Sequence, residues 1–353
     1  MSWQGIEGHD AVVARLAAAA TAGRIGGAYL LVGPAGIGKE RFALALAKAL
    51  QCRSCAAGLV PCGVCPSCVQ ADAGSHPDID VVRKPEDKAT IPLESLIGDD
   101  EHRMRDGLCW RLLLKPIVGP RRVAILLDAD HLAVEGANCL LKTLEEPPPG
   151  AVVILVGSTV ERQLPTIRSR CQIVRFAPLP DATVAALLRR LRDEGRVATV
   201  ADEVLAEIAS RSGGSVARGC ELADPALADT RCRIVDLLGR RPLPGVELAR
   251  ETLAAAEAAG KDAAPRRQRL KLLFEAAVDF YRSALRSSVT AEGGPTPDLA
   301  RAVAAWNGAT DEAAACLQHT LDAIAAVDHN AHLPTLVDAW SAALESPYSA
   351  RLV

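Results

Sequence analysis

A glycine-rich loop follows a short apolar run near the start of the chain. The run is Ala28–Val32 (AYLLV), the loop is Gly33–Lys39 (GPAGIGK), and the segment from Glu40 (ERFALALAKAL) has helical periodicity. Between a strand and a helix, the backbone N–H groups of such a loop surround phosphate oxygens, and its lysine contacts the terminal phosphates. The alternative is a glycine-rich turn without nucleotide ancestry. The candidate nucleotide-binding residues are Gly33, Gly36, Gly38 and Lys39.

The residues that should hold magnesium at such a loop are changed. Lys39 is followed by Glu40, where a Ser or Thr hydroxyl normally coordinates the ion. A second apolar run, Val123–Leu127 (VAILL), should lead into two adjacent acids, one for magnesium and one for the attacking water. Asp128 and Ala129 follow instead, so one carboxylate is missing in either register. We therefore expect no ATP hydrolysis by this chain, and the residues leave open whether ATP still binds.

Five of the 11 cysteines fall between Cys52 and Cys68. Cys62, Cys65 and Cys68 form two overlapping Cys-x-x-Cys steps, and Cys52 or Cys55 can supply a fourth thiolate. Four thiolates make a closed tetrahedral zinc site, which staples a loop that has little core of its own. Buried reduced cysteines without metal are the alternative. The pattern predicts a structural zinc site with no catalytic role.

The elements that position these residues are those of an α/β domain. The runs Val123–Leu127 and Val152–Val156 (VVILV) are continuous rather than alternating, which favours a parallel sheet covered on both faces. Between them, Val134–Glu146 has helical spacing and is stopped by Pro147. We predict an α/β P-loop domain over residues 1–178, with a cysteine knuckle inserted at about residues 52–68.

Beyond Pro178 the chain has only helical signals. We predict a small helical lid domain over residues 179–226 and an all-α domain over residues 227–353. The net charge of −3 excludes a polycation that coats nucleic acid by itself. The chain has no apolar run of membrane-spanning length and no signal-peptide pattern, so we expect a cytoplasmic protein without membrane contact.

Three motifs resemble those of the AAA+ clamp-loader subunits of bacterial DNA polymerase III. They are the glycine loop, the run Asn138–Pro148 (NCLLKTLEEPP) and the run Leu164–Cys171 (LPTIRSRC), and the resemblance extends over about residues 3–223. It implies that Arg170 of the Ser-Arg-Cys motif projects into the ATP site of a neighbouring motor subunit, where a guanidinium stabilises the charge of phosphoryl transfer. A surface ion pair with an acid is the alternative reading of Arg170. Arg168 is read as an ordinary surface charge.

The resemblance also implies partners and ligands. The changed metal positions resemble the noncatalytic type of clamp-loader subunit, whose partners are the gamma/tau and delta subunits, the sliding clamp and, through the assembled complex, primed-template DNA. The family's cysteine spacing favours Cys52 over Cys55, so the expected zinc ligands are Cys52, Cys62, Cys65 and Cys68.

The sequence departs from the family pattern at the position of a nucleotide-sensing arginine. Ala217 stands where ATPase members have a nucleotide-sensing arginine, and Arg218 comes one residue late. For the C-terminal region the resemblance implies a helical collar that holds the subunits together. The alternatives are an ATP-hydrolysing gamma/tau-type motor and a zinc-dependent DNA-binding module.

Overall fold

The computed structural model describes residues 3, 5–55, 59–85, 88–99, 101, 105–289, 297–329 and 331–346. The chain divides into two compact units, Met1–Glu221 and Leu222–Val353. The division of the first 226 residues into a P-loop domain and a lid domain stays a prediction.

The first unit contains a parallel sheet whose strands stand in the order β2-β3-β4-β1-β5. Every residue of the central strands β1, β3 and β4 is buried, which explains their continuous apolar sequences. The predicted parallel sheet is confirmed, with strand ends within one residue of the predicted runs. The strands are β1 (Ala28–Val32), β2 (Ile79–Val82), β3 (Arg122–Leu126), β4 (Ala151–Gly157) and β5 (Gln172–Arg175).

Helices cover both faces of this sheet. Leu31, Ile125 and Ile154 join a core with α1 and α2, whereas Leu30, Leu126 and Leu155 join the core with α4, α5 and α6. The helices of the first unit are α1 (Asp10–Thr21), α2 (Lys39–Gln51), α3 (Pro66–Asp72), α4 (Leu93–Ile97), α5 (Gly107–Leu113), α6 (Val134–Glu145), α7 (Pro165–Arg168), α8 (Asp181–Asp193), α9 (Asp202–Arg211) and α10 (Val216–Leu222, whose last residue belongs to the second unit).

The second unit is helical throughout its described residues. Its core contains the long helix α13, from which Phe274 packs against Trp340 with ring centroids 4.7 Å apart. Among the described helices of the whole chain, none has both the length and the apolar character that crossing a bilayer requires. The helices are α11 (Pro225–Leu238), α12 (Gly245–Glu257), α13 (Ala263–Val289), α14 (Pro297–Ala305), α15 (Thr310–Asp328) and α16 (Leu333–Glu345).

Candidate nucleotide loop, arginine turn and metal centre

The glycine loop connects the carboxyl end of β1 to the amino end of α2, as the sequence predicts. Gly36 and Gly38 take left-handed conformations, with φ of 73° and 96°. The N–H of Gly33 donates to the carbonyl of Ser158, which follows β4 (2.8 Å). The loop therefore has the local shape of a phosphate-binding turn, and its entry is tied to the neighbouring strand.

Lys39 is directed back onto the loop. Its ammonium donates to the carbonyl oxygens of Gly33 (2.6 Å) and Pro34 (2.5 Å). The residue is only 7% exposed, and burial lowers the pKa of the ammonium while the nearby charge of Asp130 opposes that shift. A phosphate would have to replace two carbonyl acceptors that Lys39 already has.

Glu40 is paired with a distant arginine. Its carboxylate accepts a hydrogen bond from the guanidinium of Arg83, which immediately follows β2, and both side chains are about half exposed. The residue that stands in the position of the magnesium-binding hydroxyl is therefore engaged by a cation of its own chain.

The acids after β3 do not form a metal pair. Asp128 is exposed and has a left-handed backbone, with φ of 55°. The Asp130 carboxylate accepts from the N–H of Ser158 (3.0 and 2.9 Å) and from the side-chain amide of Gln163. Asp130 thus joins the ends of β3 and β4, and Asp128 is the acid that remains at the predicted catalytic step.

The amino end of α10 lies against the glycine loop. The N–H groups of Val216 (3.0 Å) and Ala217 (3.3 Å) donate to the carbonyl of Gly36. A Cβ on Gly36 would lie 2.2 Å from Ser215 Oγ, so glycine is required here by contact as well as by its positive φ. Arg218 is half-buried rather than solvated, and Ala217 occupies the turn that touches the loop.

A cavity of about 130 Å³ lies beside this contact. Its walls come from the N-terminal segment, the glycine loop, α8 and α10, and they include His9, Ile37 and Leu187. The Nε2 of His9 donates to the Ile37 carbonyl (2.8 Å), which fixes the N-terminal segment on the loop.

Arg170 lies in the turn between α7 and β5. Its Nε donates to Oε1 of Glu145 (2.5 Å), and its Nη2 forms an ion pair with the same oxygen. Its Nη1 donates to the carbonyl of Thr166 (3.0 Å) and to Ser169 Oγ (3.2 Å). The surface ion pair that sequence chemistry predicts is present, and the role in trans stays a prediction.

The sheet register separates Arg170 from the glycine loop. In the parallel pair of β1 and β5, Tyr29 lies opposite Gln172 and Val32 lies opposite Arg175. Arg170 precedes the amino end of β5, whereas the loop follows the carboxyl end of β1. Three strand steps of about 3.3 Å put about 10 Å between the two ends of the pair. Arg170 and Lys39 therefore lie at opposite ends of the sheet.

The cysteine knuckle brings together the four predicted ligands. The Sγ atoms of Cys52, Cys62, Cys65 and Cys68 lie within 4.8 Å of one another. A tetrahedral ion with Zn–S bonds of 2.3 Å requires sulfur separations of about 3.8 Å, so the cluster could bind a metal ion and its all-sulfur donor set suits zinc. Cys55 is outside this group. Residues 56–58 of the predicted knuckle lie outside the described residues.

Backbone contacts and burial set the character of the thiols. The N–H of Cys62 donates to the Cys52 sulfur, and the N–H of Cys65 donates to the Cys62 sulfur (both 3.3 Å). The N–H groups of Val64 and Cys65 lower the pKa of Cys62 to about 6, whereas burial raises the pKa of Cys68 to about 12. A bound dication would favour the thiolate form of all four.

Asp78 connects the amino end of β2 to a loop about 40 positions later in the chain. Its carboxylate is fully buried and accepts from the N–H groups of Ile117 (2.7 Å), Val118 (2.7 Å) and Gly119 (2.8 Å). The turn before β2 is closed by His76, whose Nδ1 accepts from the N–H of Asp78 (3.0 Å). Asp78 therefore holds the loop that leads into β3.

Sequence reasoning missed the partners of the candidate residues. Arg83 lies 43 positions from Glu40, and Glu145 lies 25 positions from Arg170. In each pair the two residues do not lie in the same helix or strand, so no periodicity within one element connects them. The signal available for Glu145 was its position at the carboxyl end of a helix, where an acid is unfavourable without a cation nearby.

A parallel sheet in the order β2-β3-β4-β1-β5, with a glycine loop and helix after β1, defines the class: this is a P-loop fold of the AAA+ type. Residues 8–180 match the family model described as "DNA polymerase III, delta subunit". The chain belongs to the family of clamp-loader-type DNA polymerase III subunits, which includes gamma/tau and delta'.

Curated relatives support this assignment. DNA polymerase III subunit gamma/tau of Mycobacterium tuberculosis is 36% identical over 73% of this chain and 44% of its own length. Subunit delta' of Pseudomonas aeruginosa is 37% identical over 59% of both. The chain thus spans less than two thirds of these relatives. Among solved structures, a DNA polymerase III gamma subunit-related protein of Thermotoga maritima has a TM-score of 0.44 at 17% identity, covering 97% of this chain and 99% of its own.

Proposed function

We propose that this chain is a noncatalytic clamp-loader subunit that supplies Arg170 to the ATP site of a neighbouring motor subunit. The observation that carries the proposal is the position of Arg170 at the opposite end of the sheet from the glycine loop. An arginine in that position has no access to a nucleotide on its own loop. A fixed guanidinium can stabilise the charge of phosphoryl transfer on a nucleotide that another chain holds.

The state of the metal-binding positions supports the absence of hydrolysis. Glu40 is held by Arg83, Lys39 is satisfied by loop carbonyls, and Asp128 after β3 is followed by Ala129 rather than by a second acid. Binding Mg-ATP for hydrolysis would require breaking these contacts and would still leave one carboxylate missing. The glycine loop is then an inherited scaffold on which the amino end of α10 rests.

The partners of this function are subunits of the gamma/tau and delta types, the sliding clamp and, through the assembly, primed-template DNA. The subunit acts in the cytoplasm as part of a replicative DNA polymerase. Zinc on Cys52, Cys62, Cys65 and Cys68 has a structural role, because four protein thiolates leave no coordination position for a substrate.

The test is a loader reconstituted with the partner subunits of the same organism and with Arg170→Ala in this chain. Arg168→Ala is the matched control, two residues away on the same turn. We expect DNA- and clamp-stimulated ATP turnover and the rate of clamp loading to fall with Arg170→Ala and to stay unchanged with the control. Unchanged turnover in the Arg170→Ala loader would contradict the proposal.

A gamma/tau-type motor is the second candidate, favoured by the 36% identity to a gamma/tau subunit and by the preserved glycine loop. It predicts ATP turnover by the purified chain that primed DNA stimulates. If the purified chain shows no ATP turnover while the loader reconstituted with it is active, the noncatalytic subunit is the correct assignment.

A further inference from the structure

Arg170 is almost fully occupied within its own chain. A guanidinium has five N–H donors. Two N–H groups of its Nε and Nη2 edge face the Glu145 carboxylate, and the Nη1 group contacts the Thr166 carbonyl and Ser169 Oγ. The side chain is nevertheless 29% exposed, so a neighbouring molecule can reach it. When an anion binds Arg170, the arginine must therefore lose some of these contacts and keep others.

The two sets of contacts differ in strength. The Glu145 contacts join two opposite charges, whereas the Nη1 acceptors are a neutral carbonyl at 3.0 Å and a hydroxyl at 3.2 Å. A guanidinium binds a carboxylate more strongly than it binds a neutral acceptor. Phosphate oxygens therefore exchange readily with the acceptors of Nη1, while the edge formed by Nε and Nη2 stays on Glu145.

Glu145 occupies a fixed point of the fold. It is the last residue of α6, and the preceding residue, Leu144, is buried in the core against the sheet. On the other side of the pair, Ile167 is buried just before Arg170. Both ends of the contact are thus anchored by buried neighbours, although the Glu145 side chain is itself 48% exposed.

The location of this acid is unfavourable for the helix alone. A carboxylate at the carboxyl end of a helix is repelled by the helix dipole. Two acids, Glu145 and Glu146, stand there in succession, and Lys142 in the same last turn is the cation that the helix itself supplies. The cation that Glu145 contacts is instead Arg170, which comes from another element.

We propose that Glu145 is a positioning residue for Arg170: its carboxylate holds one edge of the guanidinium so that the opposite edge meets a nucleotide phosphate on the neighbouring subunit. This inference rests on the proposed function. A long arginine side chain loses about 2 kcal/mol of rotamer freedom when it is ordered. Glu145 orders it before the partner arrives, which lowers the barrier for transfer on the partner's nucleotide.

The experiment compares Glu145→Gln with Glu146→Gln in the reconstituted loader. Glutamine keeps the shape and removes the charge, and Glu146 is a neighbouring acid of equal size. We expect Glu145→Gln to lower the turnover at saturating ATP about tenfold at the affected site, with the KM for ATP unchanged, because the contact acts in the transition state. We expect Glu146→Gln to match the wild type.

Two further variants separate positioning from structure. Glu145→Asp keeps the charge on a shorter side chain and should recover part of the activity that Glu145→Gln loses. The thermal unfolding midpoint of the purified chain should be the same for Glu145→Gln and Glu146→Gln, since an exposed ion pair contributes at most about 1 kcal/mol.

The outcomes discriminate between the two proposals. Lower turnover in Arg170→Ala together with unchanged or higher turnover in Glu145→Gln would overturn the positioning role and leave the proposed function standing. Equal losses in Glu145→Gln and Glu146→Gln would also overturn it, because a general effect of acidic charge would then explain both. Unchanged turnover in Arg170→Ala would overturn the proposed function and this inference with it.

Discussion

The glycine loop at residues 33–39 and the arginine turn at residues 164–171 lie at opposite ends of the same sheet. The two regions differ in how far their cationic side chains are buried. In the loop, Lys39 is 7% exposed and is satisfied by carbonyls of its own backbone. In the turn, Arg170 is held by a partly exposed carboxylate that a neighbour can reach. An outside ligand cannot reach the buried Lys39 unless the loop contacts open, whereas it can reach the partly exposed Arg170 directly. The difference favours the turn as the functional end.

The largest expected effect is the contrast between Arg170→Ala and Lys39→Ala in otherwise identical loaders. Arg170→Ala should lower turnover at the affected ATP site by about 10³-fold, the lower range for a lost arginine finger. Lys39→Ala should change turnover less than twofold, because the proposed function assigns no ATP hydrolysis to this loop. Steady-state ATP turnover and clamp loading measure both. A larger loss of turnover with Lys39→Ala than with Arg170→Ala would contradict this prediction and favour the gamma/tau-type motor.

Metal removal should affect the cysteine knuckle more than the arginine turn. Cys52 follows the carboxyl end of α2, where the Gln51 side chain donates to the carbonyls of Asp78 and Arg121 at the amino ends of β2 and β3. Cys65→Ser should therefore abolish zinc binding. It should also lower the opening free energy of residues 59–72, measured by hydrogen exchange, by about 4 kcal/mol. Exchange in residues 164–171 should stay unchanged.

Cys55→Ser is the matched control for that experiment, since Cys55 is next to the cluster and outside it. It should retain one equivalent of zinc. A full equivalent retained by Cys65→Ser contradicts the ligand set, and exchange that increases equally in both segments contradicts a local effect of the metal.

Asp78→Asn tests whether the two ends share one platform, because this buried residue holds the loop before β3. We expect a loss of about 3 kcal/mol in the free energy of unfolding at pH 7, since three N–H groups lose a charged acceptor. Loss of protection should appear at both ends of the sheet. Chemical denaturation measures the free energy of unfolding, and hydrogen exchange measures the protection. A loss of protection confined to one end of the sheet would show that the two ends are independent.

The effect of Asp78→Asn should depend on pH. Burial raises the pKa of the carboxyl, but the N–H groups of Gly119, Ile117 and Val118 and the charge of Arg122 together lower it below its ordinary value of 3.8. A lowered folded pKa stabilises the fold above the unfolded pKa, and that stabilisation is lost as pH falls through the folded value. The difference between wild type and variant should therefore be constant from pH 7 to pH 5 and shrink below about pH 4.

The smallest effect should come from Glu40→Thr, which restores the hydroxyl that magnesium prefers and releases Arg83. We expect Mg-ATP affinity to rise by about tenfold, or 1.4 kcal/mol, without turnover, because the carboxylate pair after β3 is still incomplete. Calorimetric titration of the purified chain measures it, with Arg83→Ala as the control for loss of the ion pair alone. Turnover in the Glu40→Thr chain would contradict the assignment of the second defect.

Local sequence patterns predicted the central strands β1, β3 and β4 but missed the edge strand β5. The buried strands β3 and β4 read as continuous apolar runs, because a strand covered on both faces has no polar side. The edge strand β5, with the sequence QIVR, has no such run, since its exposed Gln172 and Arg175 break the pattern. Membership of β5 in the sheet depends on pairing with β1, and the local sequence does not encode that pairing.

Residue types and short spacings are enough to identify the glycine loop, the missing carboxylate and the group of cysteines. The side chains that hold the charged groups, Arg83 for Glu40 and Glu145 for Arg170, follow from the folded arrangement alone. Those partners come from elements that meet only when the sheet orders its strands. The same register places Arg170 at the opposite end of the sheet from its own loop, and the proposed role in trans depends on that separation.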